Sequence, residues 1–83
     1  MKVSVKKLES NICRVPINTE FIRLEALLKL VDAVPSGGMA KAMIQDGDVL
    51  VNGEICTMRG KKLRPGDMVH FMDQDYAVTG NEN

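Results

Sequence analysis

Val49-Leu50-Val51-Asn52-Gly53-Glu54-Ile55-Cys56-Thr57-Met58-Arg59-Gly60-Lys61-Lys62-Leu63-Arg64-Pro65-Gly66-Asp67 carries two turn signals and a block of positive charge. Asn52-Gly53 separates Val49-Leu50-Val51 from Glu54-Ile55-Cys56, and an Asn-Gly pair accepts the positive φ that both central positions of a type I′ turn require. The segment therefore reads as a β-hairpin. Pro65-Gly66 supplies a second turn, since proline presets φ at one position and glycine tolerates φ > 0 at the next. Between the turns, Arg59, Lys61, Lys62 and Arg64 place four cations in six residues with no acid among them. A rigid hairpin is thus expected to deliver concentrated charge to the surface.

Upstream, Arg23 to Ala33 has helical periodicity. Leu24, Leu27, Leu28 and Val31 recur at i, i+3, i+4 and i+7, and Glu25 with Lys29 makes a favourable i, i+4 pair. Val34-Pro35 is expected to stop this helix, because the residue before proline is pushed out of the α region. Ser36 then offers a hydroxyl cap to a second helix, 37–46, ended by Gly47, with Met39, Ala40, Met43 and Ile44 as its apolar face. Met68-Val69-His70-Phe71 reads as a strand, and Asp73 to Thr79 returns as a last one. Nearer the N-terminus, Lys2 to Lys6 alternates like a half-buried strand, Ile12 to Val15 has room for another, and Glu20-Phe21-Ile22 is extended. The order helix, helix, hairpin, strand predicts an α+β fold: two short packed helices against a small, mostly antiparallel sheet. The expected division is an N-terminal extension with short strands over 1–20, a core over 21–72, and a last strand with an acidic, frayed tail over 73–83.

Eighty-three residues allow one domain with a single core. The chain carries 11 basic and 11 acidic residues, a formal net charge of zero, yet its charges are segregated. Lys2, Lys6, Lys7 and Arg14 outnumber Glu9 at one end, while Asp73, Asp75 and Glu82 leave the other end acidic. Screening over about 8 Å at physiological salt keeps such a tail from cancelling a distant basic face. Cys13 and Cys56 lack metal-ligand spacing and are too few for a disulfide framework, so both read as small buried hydrophobes in a reducing cytoplasm. Neither a signal peptide nor an apolar run of about 20 residues is visible, which points away from the membrane.

These motifs resemble the S4-like RNA-binding domain. The resemblance rests on Arg23-Leu24-Glu25 opening a helix, Ser36, Ala40 and Met43-Ile44 in the second, then Gly47, Val49-Leu50-Val51-Asn52-Gly53 and Leu63-Arg64-Pro65-Gly66-Asp67. Ser36-Gly37-Gly38-Met39-Ala40-Lys41 together with Arg59-Gly60-Lys61-Lys62-Leu63 is most similar to small stand-alone bacterial members of the YaaA/YbcJ type. The resemblance implies a two-helix unit on a small sheet that grips structured RNA, with Arg23, Ser36 and Lys41 at positions the family uses for it. One departure stands out: many members place arginine after the serine, where this chain has Gly37-Gly38. A bare helix N-terminus there can bind a phosphate through backbone N–H groups instead.

The chemistry expected is therefore RNA binding by Arg23, Ser36, Gly37, Gly38, Lys41, Arg59, Lys61, Lys62 and Arg64, mainly through phosphates, by a monomer that needs no cofactor or metal. A charge run is usually a solvated turn, but the adjoining hairpin shifts the balance toward a binding surface. With no Trp, one Tyr and two Phe, both Phe21 and Phe71 read as core, the chain is short of stacking aromatics, so it suits folded or paired RNA. The six methionines read mainly as core fillers, with Met39, Met58 and Met72 partly exposed. His70 is the only histidine and forms no recognisable triad, while Asp46 and Asp48 fit turn chemistry, so no enzyme is indicated. The alternative is a protein-interaction adaptor whose basic loop docks an acidic partner.

Overall fold

The computed structural model describes residues 12–80, so the strand expected at Lys2 to Lys6 lies outside the described residues. The chain runs β1 (Ile12–Ile17), β2 (Ile22–Arg23), α1 (Leu24–Leu30), α2 (Gly37–Gln45), β3 (Val49–Val51), β4 (Glu54–Ile55), β5 (Lys62–Leu63), β6 (Met68–Phe71) and β7 (Gln74–Gly80). This is the expected α+β architecture. One sheet has five strands in the order β1-β7-β6-β3-β4, and β2 with β5 forms a separate two-stranded ribbon. All pairings are antiparallel except β1 with β7, which is parallel.

Two tight hairpins build the sheet. Asn52 and Gly53 have φ of 52° and 87°, the pair of positive values that a type I′ turn needs, and Val51 faces Glu54 across it. Met72 and Asp73, at φ 52° and 65°, make the same kind of bend between β6 and β7 without a glycine. No sequence signal announced that second bend. It is tolerated because the strands on either side are pinned by their own buried residues, Val69 and Phe71 on one and Tyr76 and Val78 on the other.

Alternation along the strands places Val15, Ile17, Val49, Val51, Val69, Phe71, Tyr76 and Val78 on the face covered by the helices. Leu24, Leu27 and Leu28 from α1 and Ala40 and Ile44 from α2 complete the same cluster. Both flanks of residues 21–72 thus contribute to the core: β1 extends two residues past the expected Val15, and Gly80, expected in a frayed tail, pairs with Ile17.

Both helices end in the same way. At α2 the N–H of Gly47, φ 85°, donates to the Ile44 carbonyl and that of Asp48 to Met43, the paired bonds of a Schellman motif. At α1 the N–H of Asp32 donates to Lys29 and that of Ala33 to Leu28, with Asp32 itself at φ 59°. The first helix therefore stops at Leu30, before the Val34-Pro35 expected to end it. Aspartate is one of the few residues that visits the left-handed region readily, which is why the stop lies there.

Several side chains depart from their expected places. Cys13 is exposed and Cys56 half-buried, although Cys13 shares the phase of β1 that buries Val15 and Ile17. Met39, on the apolar stripe of α2, is partly exposed as expected, while Ala40 and Ile44 are fully buried. Met58 and Met72 are exposed as expected. Phe71 is core, but Phe21 is half-buried and lies outside the buried cluster.

Leu27 is fully buried at the centre of the α1 face. Leu27→Ala is expected to cost about 2–5 kcal/mol, read as a lower midpoint in urea unfolding with an unchanged slope. A midpoint within error of wild type would place that face wrongly.

Candidate nucleic-acid interface

The basic segment is fastened to the start of α1 through its backbone. The Leu24 N–H donates to the Lys61 carbonyl at 2.9 Å and the Glu25 N–H to the Arg59 carbonyl at 3.1 Å. The first turn of a helix has N–H groups without intrahelical partners, and here the cationic loop supplies the missing acceptors. Arg23, the N-cap residue, makes no side-chain cap and pairs with Lys62 in the β2–β5 ribbon. A bend from Met58 to Lys61, closed by the Lys61 N–H on the Met58 carbonyl at 3.1 Å, turns Arg59 outward. Arg23, Arg59, Lys61 and Lys62 are thereby gathered around one helix start, all of them exposed.

That arrangement occupies the start of α1. The N–H groups at the start of α1 are used by the protein's own carbonyls, so this helix does not offer them to a phosphate. The start of α2 differs. Ser36 caps it as expected, its hydroxyl accepting from the Met39 N–H at 3.3 Å, and no hydrogen bond among the described residues takes the N–H groups of Gly37 and Gly38. Lys41 is exposed one turn further along.

The structure adds Lys29, which sequence reasoning assigned to an ion pair with Glu25. Among the described residues the only ion pair within 4 Å is His70 with Asp75, and the Lys29 side chain lies instead against α2, where a Cβ on Gly37 would stand 3.7 Å from its Nζ. A Cβ at that distance would make only an ordinary van der Waals contact, so nothing in the sequence marks this placement of Lys29. The predicted residues thus form two groups at opposite ends of α1: Arg23, Arg59, Lys61 and Lys62 at its start, and Ser36, Gly37, Gly38 and Lys41 beside its end. Seven residues at 1.5 Å each separate them by roughly 10 Å.

Arg64 leaves the first group toward the Pro65-Gly66 turn. Gly66 has φ 105° and the Asp67 N–H donates to the Arg64 carbonyl at 2.9 Å, a type II turn. Asp67 then ties this turn to the hairpin. Its Oδ2 accepts from the Arg64 N–H at 2.8 Å and its Oδ1 from the Asn52 side-chain amide at 3.1 Å. Asn52 in turn accepts from the Met68 N–H at 3.0 Å through its Oδ1 and donates its own N–H to the Met68 carbonyl at 2.8 Å. The Arg64 N–H bond holds the Asp67 carboxyl below the usual carboxylate range, helped by Asn52 and the charges of Lys61 and Arg64 and opposed by partial burial.

The remaining titratable features have structural explanations. His70 Nδ1 lies 2.7 Å from Asp75 Oδ1 because the two residues are register partners on the sheet face away from the helices. Asp46 is the C-cap of α2 and Asp48 closes its Schellman motif. Among the described residues no three His, Cys, Asp or Glu side chains form a metal site, and no helix is long and apolar enough to cross a membrane.

A family model described as the S4 domain matches residues 15–79, from within β1 to within β7. The chain belongs to the S4 domain family. It is also similar to a protein of Bacillus subtilis (strain 168) named probable ribosome maturation protein RlbA, 49% identical over 57 residues that cover 69% of this chain and 80% of that protein. The family resemblance drawn from the helix starts and the hairpin thus holds.

In this S4 domain, Asp67 is held ionised by the fold, so its contribution to stability is complete above its ordinary value of 3.8 and is lost as pH falls through its lower folded value. Asp67→Asn is accordingly expected to destabilise at pH 7 and to narrow the gap to wild type as pH falls below 3.8, as measured by urea midpoints across that range. A gap that is constant with pH would separate the carboxylate from the lock.

Proposed function

We propose that this chain is a non-catalytic RNA-binding protein that grips structured RNA mainly through phosphate contacts, and that its target lies in ribosome maturation. The observation that carries the reading is the fastening of the cationic loop to α1 by the Lys61 and Arg59 carbonyls. Cations on a mobile loop must lose conformational freedom on binding, whereas these stand on a backbone that the fold already orders. The ribosomal part comes from the name of the Bacillus subtilis relative. The start of α2, with Ser36, Gly37, Gly38, Lys41 and the adjoining Lys29, extends the surface toward a second phosphate run.

Each phosphate neutralised contributes a slope of about −0.7 to −0.9 to log affinity against log salt, so four contacts make binding steeply salt-dependent. Lys61→Glu with Lys62→Glu is expected to weaken binding to a structured ribosomal RNA fragment by at least about tenfold and to flatten the slope by roughly two contacts' worth, with the melting temperature unchanged. Filter-binding titrations at several salt concentrations measure both. Unchanged affinity in the folded double variant would overturn the reading, and tight binding to an acidic polypeptide with none to RNA would favour the adaptor.

A further inference from the structure

The β2–β5 ribbon has a face that the core does not use. Leu63 is fully buried and Ile22 packs against the core, so alternation sends their neighbours to the other side. Arg23 and Lys62 are register partners. The same register continues through the bond from Leu24 to Lys61. The outward face therefore carries Arg23 and Lys62, and both cations stand over the Phe21 ring. Lys62 Nζ lies 5.0 Å and Arg23 Cζ 5.9 Å from the ring centroid.

Nothing in the core needs this ring. Phe21 is half-buried and absent from the buried cluster, although a phenylalanine preceding an apolar helix is ordinarily drawn inside. A cation over a half-buried ring at the surface is a weak contact, weaker than a nucleobase stacked on the same ring. A base that takes the place of the Lys62 ammonium gains the stack, and the released ammonium meets the adjoining phosphate. A duplex keeps its bases stacked inside and offers none, whereas loops and bulges splay bases out.

We infer that Phe21 is a stacking platform for an unpaired base of the bound RNA, with Arg23 and Lys62 on the flanking phosphates. This rests on the RNA-binding reading above and narrows it, from RNA as a charged shape to RNA that presents a splayed nucleotide beside a helix. The shortage of aromatics in the composition hides the feature, since one ring suffices when it stands amid cations on a rigid ribbon.

Two variants of the full chain test it against two probes, an RNA stem-loop with an unpaired uridine loop and a blunt RNA duplex of equal length. Phe21→Leu keeps apolar bulk without the π face, and it is expected to lose about tenfold affinity for the stem-loop and none for the duplex. The chain has no tryptophan, so Phe21→Trp installs a single indole whose emission should be quenched by the stem-loop and not by the duplex. Equal loss on both probes, no loss on either, or an unquenched indole in the stem-loop complex would overturn the platform. A wild-type chain that binds neither probe would instead overturn the RNA-binding reading itself.

Discussion

The Asn52 side chain and the Asp67 carboxylate, 3.1 Å apart, join two turns that lie 15 residues apart in the chain. Each turn is locally encoded, one by Asn-Gly and the other by Pro-Gly. Neither by itself determines where the basic segment goes. With both turns locked, the chain between them has both ends anchored, and it must bulge outward over the start of α1. The backbone carbonyls of Arg59 and Lys61 then complete that helix. A single carboxylate thereby acts on the hairpin register, on the type II turn and, through them, on the site.

This order of dependence explains why the cations need no ion pairs to be placed. Among the described residues none of Arg23, Arg59, Lys61, Lys62 and Arg64 makes an ion pair within 4 Å, and all are exposed. A surface pair would contribute little to stability and would neutralise the charge that a polyanion needs. Position comes instead from the main chain, and the side-chain charges stay available. Lys29 follows the same logic at the far end of α1, held near Gly37 rather than near Glu25.

The sheet supplies the rigidity behind this surface. The parallel pairing of β1 with β7 closes one edge, and the two type I′ bends fix the register of the strands between. Because a slip of one residue would turn Val69, Phe71, Tyr76 and Val78 to solvent, the register is set by burial as firmly as by the turns. The sheet face away from the helices carries the His70–Asp75 pair and takes no part in the basic surface.

Local chemistry alone determined a good deal of this protein. The Asn52-Gly53 bend, the Pro65-Gly66 turn, the Ser36 cap, the Gly47 stop and the leucine face of α1 are all legible in sequence, because each depends on the conformational limits or spacing of residues within one turn of one another. Those same motifs carried the family resemblance. What only the tertiary structure decided are matters between distant segments: that β1 pairs in parallel with β7, that the Arg59 and Lys61 carbonyls cap α1, that Lys29 lies beside Gly37, and that Phe21 stands outside the buried cluster beneath two cations. The physical reason is that hydrophobicity and charge state what a side chain prefers, while its surroundings depend on which strand the rest of the chain brings alongside. For Phe21 that strand carries Lys62, 41 residues further along the chain and beyond the reach of any local pattern.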